Sequence, residues 1–325
     1  MSESNAAAPT QSVVVGWIGV LLVRIFVPAW IFFGAITKVL GATPKSLPRS
    51  ILDGGGIVGI SDHFFLLSVL TSIEFFFIAL MLFSARFARI SASIMLSIFL
   101  LVLSVEMFIY GNFESCGCFG EDSIAPTTMF GIDFALLLGI ITLKPRKSTN
   151  AFRKQTRNVI LIVLFVILSW YFTFSTIMSH KHISNGDNTT SLPSSWYPTN
   201  IGEWIGKSVD DIDLFSWVSE WPHDIHESKQ YVIFYSLTCD HCEALLYGYF
   251  EFPTTPTTLV AIPQSTDGFN YDGAFDNTSF DCDKTELRVG TDWIIGAPLV
   301  VAIENGIVQC ATENEDYEAP VCLIW

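Results

Sequence analysis

Two closely spaced cysteine pairs hold the chemistry this chain offers: Cys239-Asp240-His241-Cys242 and Cys116-Gly117-Cys118. Three further cysteines, Cys282, Cys310 and Cys322, make the total seven, so at least one thiol has no partner within the chain. In a C-x-x-C at the start of a helix, the first sulfur faces unpaired backbone N–H groups and the positive end of the helix dipole, both of which favour thiolate over thiol. Cys239 is therefore the candidate nucleophile, and Cys242, one turn in, is the resolving partner. His241 between them adds a positive charge that lowers the thiol pKa and makes the disulfide more oxidising. Half a zinc site or a plain structural disulfide is the competing reading of C-x-x-C. Cysteines two apart, as in Cys116 and Cys118, close only a small strained ring, which suits a reducible relay better than a staple. No His or further Cys stands near that pair in its loop, so no metal is assigned.

Each pair needs an element to hold it. The apolar run Tyr231 to Ser236 reads as a strand leading to Cys239, and Glu243 to Phe250 reads as the helix that follows. Thr258 to Ile262 is a second strand, and Leu299 to Ile303, preceded by Pro298, a third. The pair Asn305-Gly306 marks a type I′ turn into a fourth strand, Ile307 to Ala311. Residues 203–325 thus read as a small α/β domain. The segment 180–202, rich in Asn, Ser, Thr and Pro, reads as a linker, and about 20 flexible residues reach roughly 25 Å.

The first half has a different solvent. The chain of 325 residues is 50% hydrophobic and only 15% charged, with a mean hydropathy of +0.46, too apolar for one water-soluble domain. Five apolar runs read as spans: Ser12 to Ile36, Phe64 to Phe83, Ile90 to Tyr110, Thr127 to Leu143 and Val159 to Met178. No secretory signal peptide is expected, because Met1 to Gln11 has no basic residue and the apolar run that follows is too long. The basic cluster Lys144, Arg146, Lys147, Arg153, Lys154 and Arg157 puts the loop between spans four and five in the cytoplasm, in agreement with Arg86 and Arg89. Lys38, Lys45 and Arg49, after the first span, oppose this orientation. The expected protein is a multi-pass cell (inner) membrane protein with a cytoplasmic N-terminus, bathed by membrane lipid, and with Cys116, Cys118 and the C-terminal domain extracytoplasmic or periplasmic. Nucleic acid is excluded as a partner, since the net charge is −15 and the second half has few Lys or Arg. Arg24, Glu74, Glu106 and Asp133 are ionisable groups inside predicted spans. Pairing within the bundle, for instance Arg24 with Glu74, is the structural reading; a proton route or quinone pocket is the functional one.

Both halves resemble known families. The segment Gly296-Ala297-Pro298-Leu299-Val300-Val301 through Asn305-Gly306 resembles the cis-proline region of thioredoxin-like domains, which implies that Pro298 packs against the Cys239/Cys242 pair. The dipeptide Asp240-His241 lacks the frequent proline, and the long separation of Cys242 from Pro298 implies an insertion around Gln264 to Cys282. Cys116-Gly117-Cys118-Phe119-Gly120 after the third span resembles MauE-type proteins, relatives of the DoxX family. Arg24, Phe33, Gly34 and Lys38 fit the DoxX-like first-span pattern, and Glu74 the start of the second-span pattern. MauE-type proteins are associated with maturation of methylamine dehydrogenase, beside a separate thioredoxin-like protein, MauD; this chain looks like the two fused.

The expected architecture is a MauE/DoxX-like four-helix transmembrane domain (1–148), a basic cytoplasmic loop with a fifth transmembrane helix (149–179), a polar linker (180–202) and an α/β thioredoxin-like domain (203–325). The expected function is thiol-disulfide exchange between an extracytoplasmic cysteine-containing protein client and a membrane carrier, for which a quinone is the candidate. The alternative is a non-enzymatic membrane assembly scaffold whose thioredoxin-like domain binds a client.

Overall fold

A computed structural model describes residues 13–84, 86–111, 125–143, 155–184, 192–313 and 319–324. The chain separates into two compact units, one formed by 1–55 and 64–178, the other by 56–63 and 179–325.

The first unit is helical. Helix α1 (Val13–Leu21) runs through a π-helical turn (Leu22–Phe26) into α2 (Val27–Gly41). Pro28 explains the widened turn: it has no N–H to give and its ring crowds the carbonyl four residues back, and Val27 N–H bonds instead to Leu22 O, five residues back. A short helix α3 (Arg49–Ile57) precedes α4 (His63–Phe83), α5 (Ala88–Phe108), α6 (Pro126–Thr142) and α7 (Gln155–Ser184). Among the described residues, four helical stretches are long and apolar enough to cross a membrane: Val15–Gly41, His63–Phe83, Ala88–Phe108 and Arg157–Lys181. The remaining apolar helix, α6, has 17 residues, at the lower bound for a span. It lies closely along α5. Val27, Ile31, Ala35 and Val39, four apart, form the stripe of α2 that packs on Phe75 and Ile78 of α4 and Ala92 and Leu96 of α5. Large apolar side chains such as Phe33, Leu101, Leu138 and Ile167 point outward, as expected where lipid is the solvent. The first unit is thus that of a membrane protein.

In the second unit, β1 (Ser195–Trp196) leads into a short helix α8 (Asp213–Ser216), then β2 (Lys229–Tyr235), α9 (Asp240–Tyr249), β3 (Thr257–Ala261), β4 (Asp283–Glu286), β5 (Asp292–Trp293), β6 (Leu299–Glu304) and β7 (Ile307–Glu313). Five strands make one mixed sheet in the order β4-β3-β2-β6-β7; β2, β3 and β4 are parallel, and β6 runs antiparallel to both β2 and β7. β1 pairs with β5 as a separate parallel ribbon. β2 is covered on both faces, so it reads as an unbroken apolar run. Val232 and Phe234 join Trp204, Phe215 and Trp293 on one face; Ile233 and Tyr235 join Leu245, Leu246 and Phe250 on the other. Asn305 and Gly306 both have positive φ (52° and 77°), as a type I′ turn demands, and a Cβ on Gly306 would stand 2.6 Å from the His226 ring.

The structure corrects three expectations. The segment 180–202 is not one flexible linker, because α7 continues through Ser184 and Ser195–Trp196 pairs with Asp292–Trp293; its reach of roughly 25 Å does not apply. Lys38 is not a loop residue but lies inside α2, so it does not count against the orientation of the first span. Arg24 does not pair with Glu74: its guanidinium donates to Met81 O at 3.0 Å and Leu82 O at 2.5 Å. These are last-turn carbonyls of α4, at the negative end of its dipole, where a cation is favoured.

Candidate active site

Strand β2 ends at Tyr235, and Ser236, Leu237 and Thr238 turn the chain so that Cys239 becomes the N-cap of α9. Its backbone is extended (φ −99°, ψ 114°), and its sulfur accepts a hydrogen bond from Cys242 N–H at 3.2 Å. A Ser or Asp oxygen ordinarily fills this position at a helix start. Here the acceptor is a sulfur, and Asp240 and Glu243 in the first turn suit the positive dipole end. Cys239 is half-buried, whereas Cys242 is 0% exposed and sits among Leu245, Leu246 and Phe250; both are free thiols.

The two sulfurs differ accordingly. The Cys239 pKa is pulled down to about 7, chiefly by the hydrogen bond from the Cys242 thiol, helped by the Cys242 N–H and the nearby His241, against the opposing effect of burial. Burial, together with the neighbouring Cys239, pushes the Cys242 thiol well above its ordinary value. One sulfur is therefore accessible and ready as thiolate, the other sheltered and protonated.

Across from them, the Ala297–Pro298 peptide is cis, as the resemblance at Pro298 implies. The Cys239 thiol lies 3.5 Å from Ala297 O, so the segment leading into β6 faces the reactive sulfur. Two features were not foreseen. Glu313, at the end of β7, accepts a hydrogen bond from Gly296 N–H at 2.9 Å and thereby holds the proline loop. The insertion between β3 and β4 is stitched to the active turn: Phe275 N–H bonds to Leu237 O at 3.0 Å, and Gln264 Nε2 to Ser236 Oγ at 3.3 Å. The cysteine spacing and the segment around Pro298 are local signals, whereas these contacts join residues distant in sequence and leave no such mark.

The remaining cysteines divide. Cys310 and Cys322 form a disulfide that ties β7 to the turn Val321–Ile324, and Tyr231 Oη–H donates to Cys322 O at 3.1 Å. Cys282 is free and half-buried, with its pKa pushed up to about 11 by burial. Cys116 and Cys118 lie outside the described residues.

The four intramembrane candidates do not form one cluster. Glu74 pairs with Lys38 Nζ at 2.5 Å, Asp133 accepts from Trp30 Nε1 at 2.8 Å, and Glu106 accepts from Ser50 N–H at 2.7 Å, at the N-terminus of α3. Glu74 and Asp133 line the same cavity, together with Trp30, Lys38, Phe99 and Met129; Arg24 and Glu106 do not. Its free volume is about 40 Å³, whereas about 150 Å³ is needed to admit even a benzene-sized ring. A quinone does not fit this packing.

Comparison with protein families, with curated proteins and with solved structures finds no match to this chain.

Proposed function

We propose that the chain is a membrane-anchored thiol-disulfide oxidoreductase with Cys239 and Cys242 as its working pair, acting on a cysteine-containing protein client outside the cytoplasm. The observation that carries this reading is the asymmetry of the pair: a half-exposed sulfur with an N–H donated to it at a helix start, and a fully buried one a turn later. Two further features support a thioredoxin-like reading of the second unit. The active strand β2 is central in the sheet, and the loop before β6 presents Ala297 O and Pro298 to Cys239.

The exchange balances in two steps. The Cys239 thiolate attacks a client disulfide, forming a mixed disulfide and releasing one client thiolate, which takes up a proton. Cys242 then loses its proton and attacks the Cys239 sulfur, so the second client sulfur leaves and the Cys239–Cys242 disulfide remains. Two electrons pass to the client; the reverse order of steps oxidises it.

We further propose that Cys116 and Cys118 form a second pair on the same side of the membrane. If α4, α5, α6 and α7 cross in succession, the ends of α5 and α7 fall on one side, opposite the side to which the positive-inside rule assigns the basic cluster between Lys144 and Arg157. Maturation of a disulfide-containing client, as in MauE and MauD systems, fits this arrangement by resemblance.

A pH series of alkylation rates on the reduced protein tests the reading. Cys239 should react with a midpoint near pH 7, and a midpoint at the free-thiol value of about 8.5 would refute its role as the attacking group. With Cys242→Ser, the client should stay attached to Cys239 as a mixed disulfide that a reductant releases.

A further inference from the structure

The cavity in the helical unit has an unbalanced set of charges. Among the described residues, the ionisable groups that face it are Lys38 from α2, Glu74 from α4 and Asp133 from α6. Helix α5 contributes only Phe99, Val102 and Leu103 to the lining, and α7 contributes nothing. Of the ionisable groups nearby, Glu106 is turned to Ser50 N–H and Arg24 to the carbonyls of Met81 and Leu82. Among the described lining residues, one ammonium therefore stands against two carboxyl groups.

These two are not equivalent. Glu74 is bound to the ammonium of Lys38 at 2.5 Å, which also lies 5.9 Å from the centre of the Phe99 ring. Asp133 is 1% exposed, and its hydrogen-bond donor is the uncharged indole N–H of Trp30. A second anion whose hydrogen-bond donor is neutral is strongly disfavoured inside a membrane bundle. The other carboxyl oxygen of Glu74, Oε2, is buried without a hydrogen-bond partner among the described residues. An acceptor in need of a donor thus lines the same space as an acid in need of neutralisation, and the free volume of about 40 Å³ suits one water molecule.

We propose that this cavity is a proton-binding site: Asp133 holds one proton and shares it, through a single water, with Glu74 Oε2, while Lys38 keeps the cluster neutral. Transfer moves the proton from the Asp133 carboxyl to the water as the water gives one to Glu74, so charge is conserved across the three residues. Lys38 then faces Asp133 as the remaining anion. The site is independent of the cysteine chemistry and does not rest on the reading given to it above.

Infrared spectra of the full-length protein in lipid nanodiscs, compared in H2O and D2O at neutral pH, test this. The wild type should show an isotope-sensitive protonated-carboxyl band that Asp133→Asn removes. Glu74→Gln should remove the same band although Asp133 is intact, because Asp133 then becomes the counter-ion of Lys38. Lys38→Met should do the opposite and double the band, which keeps the test decisive if one variant folds poorly. Glu106→Gln should leave the Asp133-dependent band in place. A band untouched by Asp133→Asn, or one that persists in Glu74→Gln, would overturn the proposal. Loss of the wild-type band when sodium replaces a bulky organic cation at constant pH would assign the site to a metal cation and overturn it equally.

Discussion

In the sheet unit, the reactive sulfur owes most of its environment to four consecutive residues, Cys239 to Cys242. In the helical unit, each buried ionisable side chain meets a partner far along the chain: Lys38 and Glu74 are 36 residues apart, Glu106 and Ser50 56, and Trp30 and Asp133 103. The difference is one of robustness. A helix N-cap forms wherever the local turn forms, so its chemistry survives changes elsewhere. A charge neutralised across a helix interface depends on the packing of two helices, and removing one partner leaves the other stranded in a medium that cannot solvate it.

The sharpest way to break the comparison is at the local site. Cys239→Ser should reduce exchange with a disulfide substrate to background while the far- and near-ultraviolet circular dichroism stays that of the wild type, since the serine oxygen is itself a good N-cap. Loss of folding in this variant would mean that the sulfur is structural and the asymmetry of the pair is not about reactivity. The converse test is in the bundle. Lys38→Met should destabilise the protein by about 3–5 kcal/mol, as for any buried ion pair stripped of one member, and the second change Glu74→Met should restore much of the loss. Denaturant unfolding in micelles would measure both, and an unaltered midpoint in the single variant would show that Glu74 is solvated after all.

Two smaller effects sharpen the contrast within the sheet unit itself. Replacing Cys310 and Cys322 by Ala opens a link between positions 12 apart, and a cost of about 2–3 kcal/mol is expected. Alkylation of Cys239 should keep its pH midpoint, because the staple lies at β7 and the local turn does not need it. The smallest effect is expected for Glu313→Gln, which keeps an acceptor for Gly296 N–H but weakens it by removing the charge. A loss of about 1 kcal/mol is expected, with a small change in the rate of mixed-disulfide formation. A large rate change there would show that the active site depends on a distant contact as much as the bundle does.

Legibility followed the same division. The strands β2, β3, β6 and β7 and helix α9 were visible because apolar runs, a cysteine N-cap and an Asn-Gly turn are local signals. β4 was not: Asp283–Glu286 is a polar, half-exposed strand at the edge of the described sheet, paired with β3, and no apolar pattern marks it. The ends of the segment 180–202 depart from a linker for a related reason, since a polar composition does not reveal that α7 continues through Ser184 or that Ser195–Trp196 finds β5.

By itself, the sequence determined that the first half needs an apolar solvent, that Cys239 begins a helix with Cys242 one turn behind, and that ionisable groups stand in the apolar runs. Those properties depend on composition and on neighbours within a few residues. Only the tertiary structure decided that Lys38 and not Arg24 answers Glu74, that Asp133 and Glu74 share a cavity, that Cys310 takes Cys322 and leaves Cys282 free, and that Glu313 holds the loop before Pro298. Each of these depends on how a helix is rotated or which strands become neighbours. That is set by the summed burial of many apolar side chains, and no single spacing along the chain encodes it.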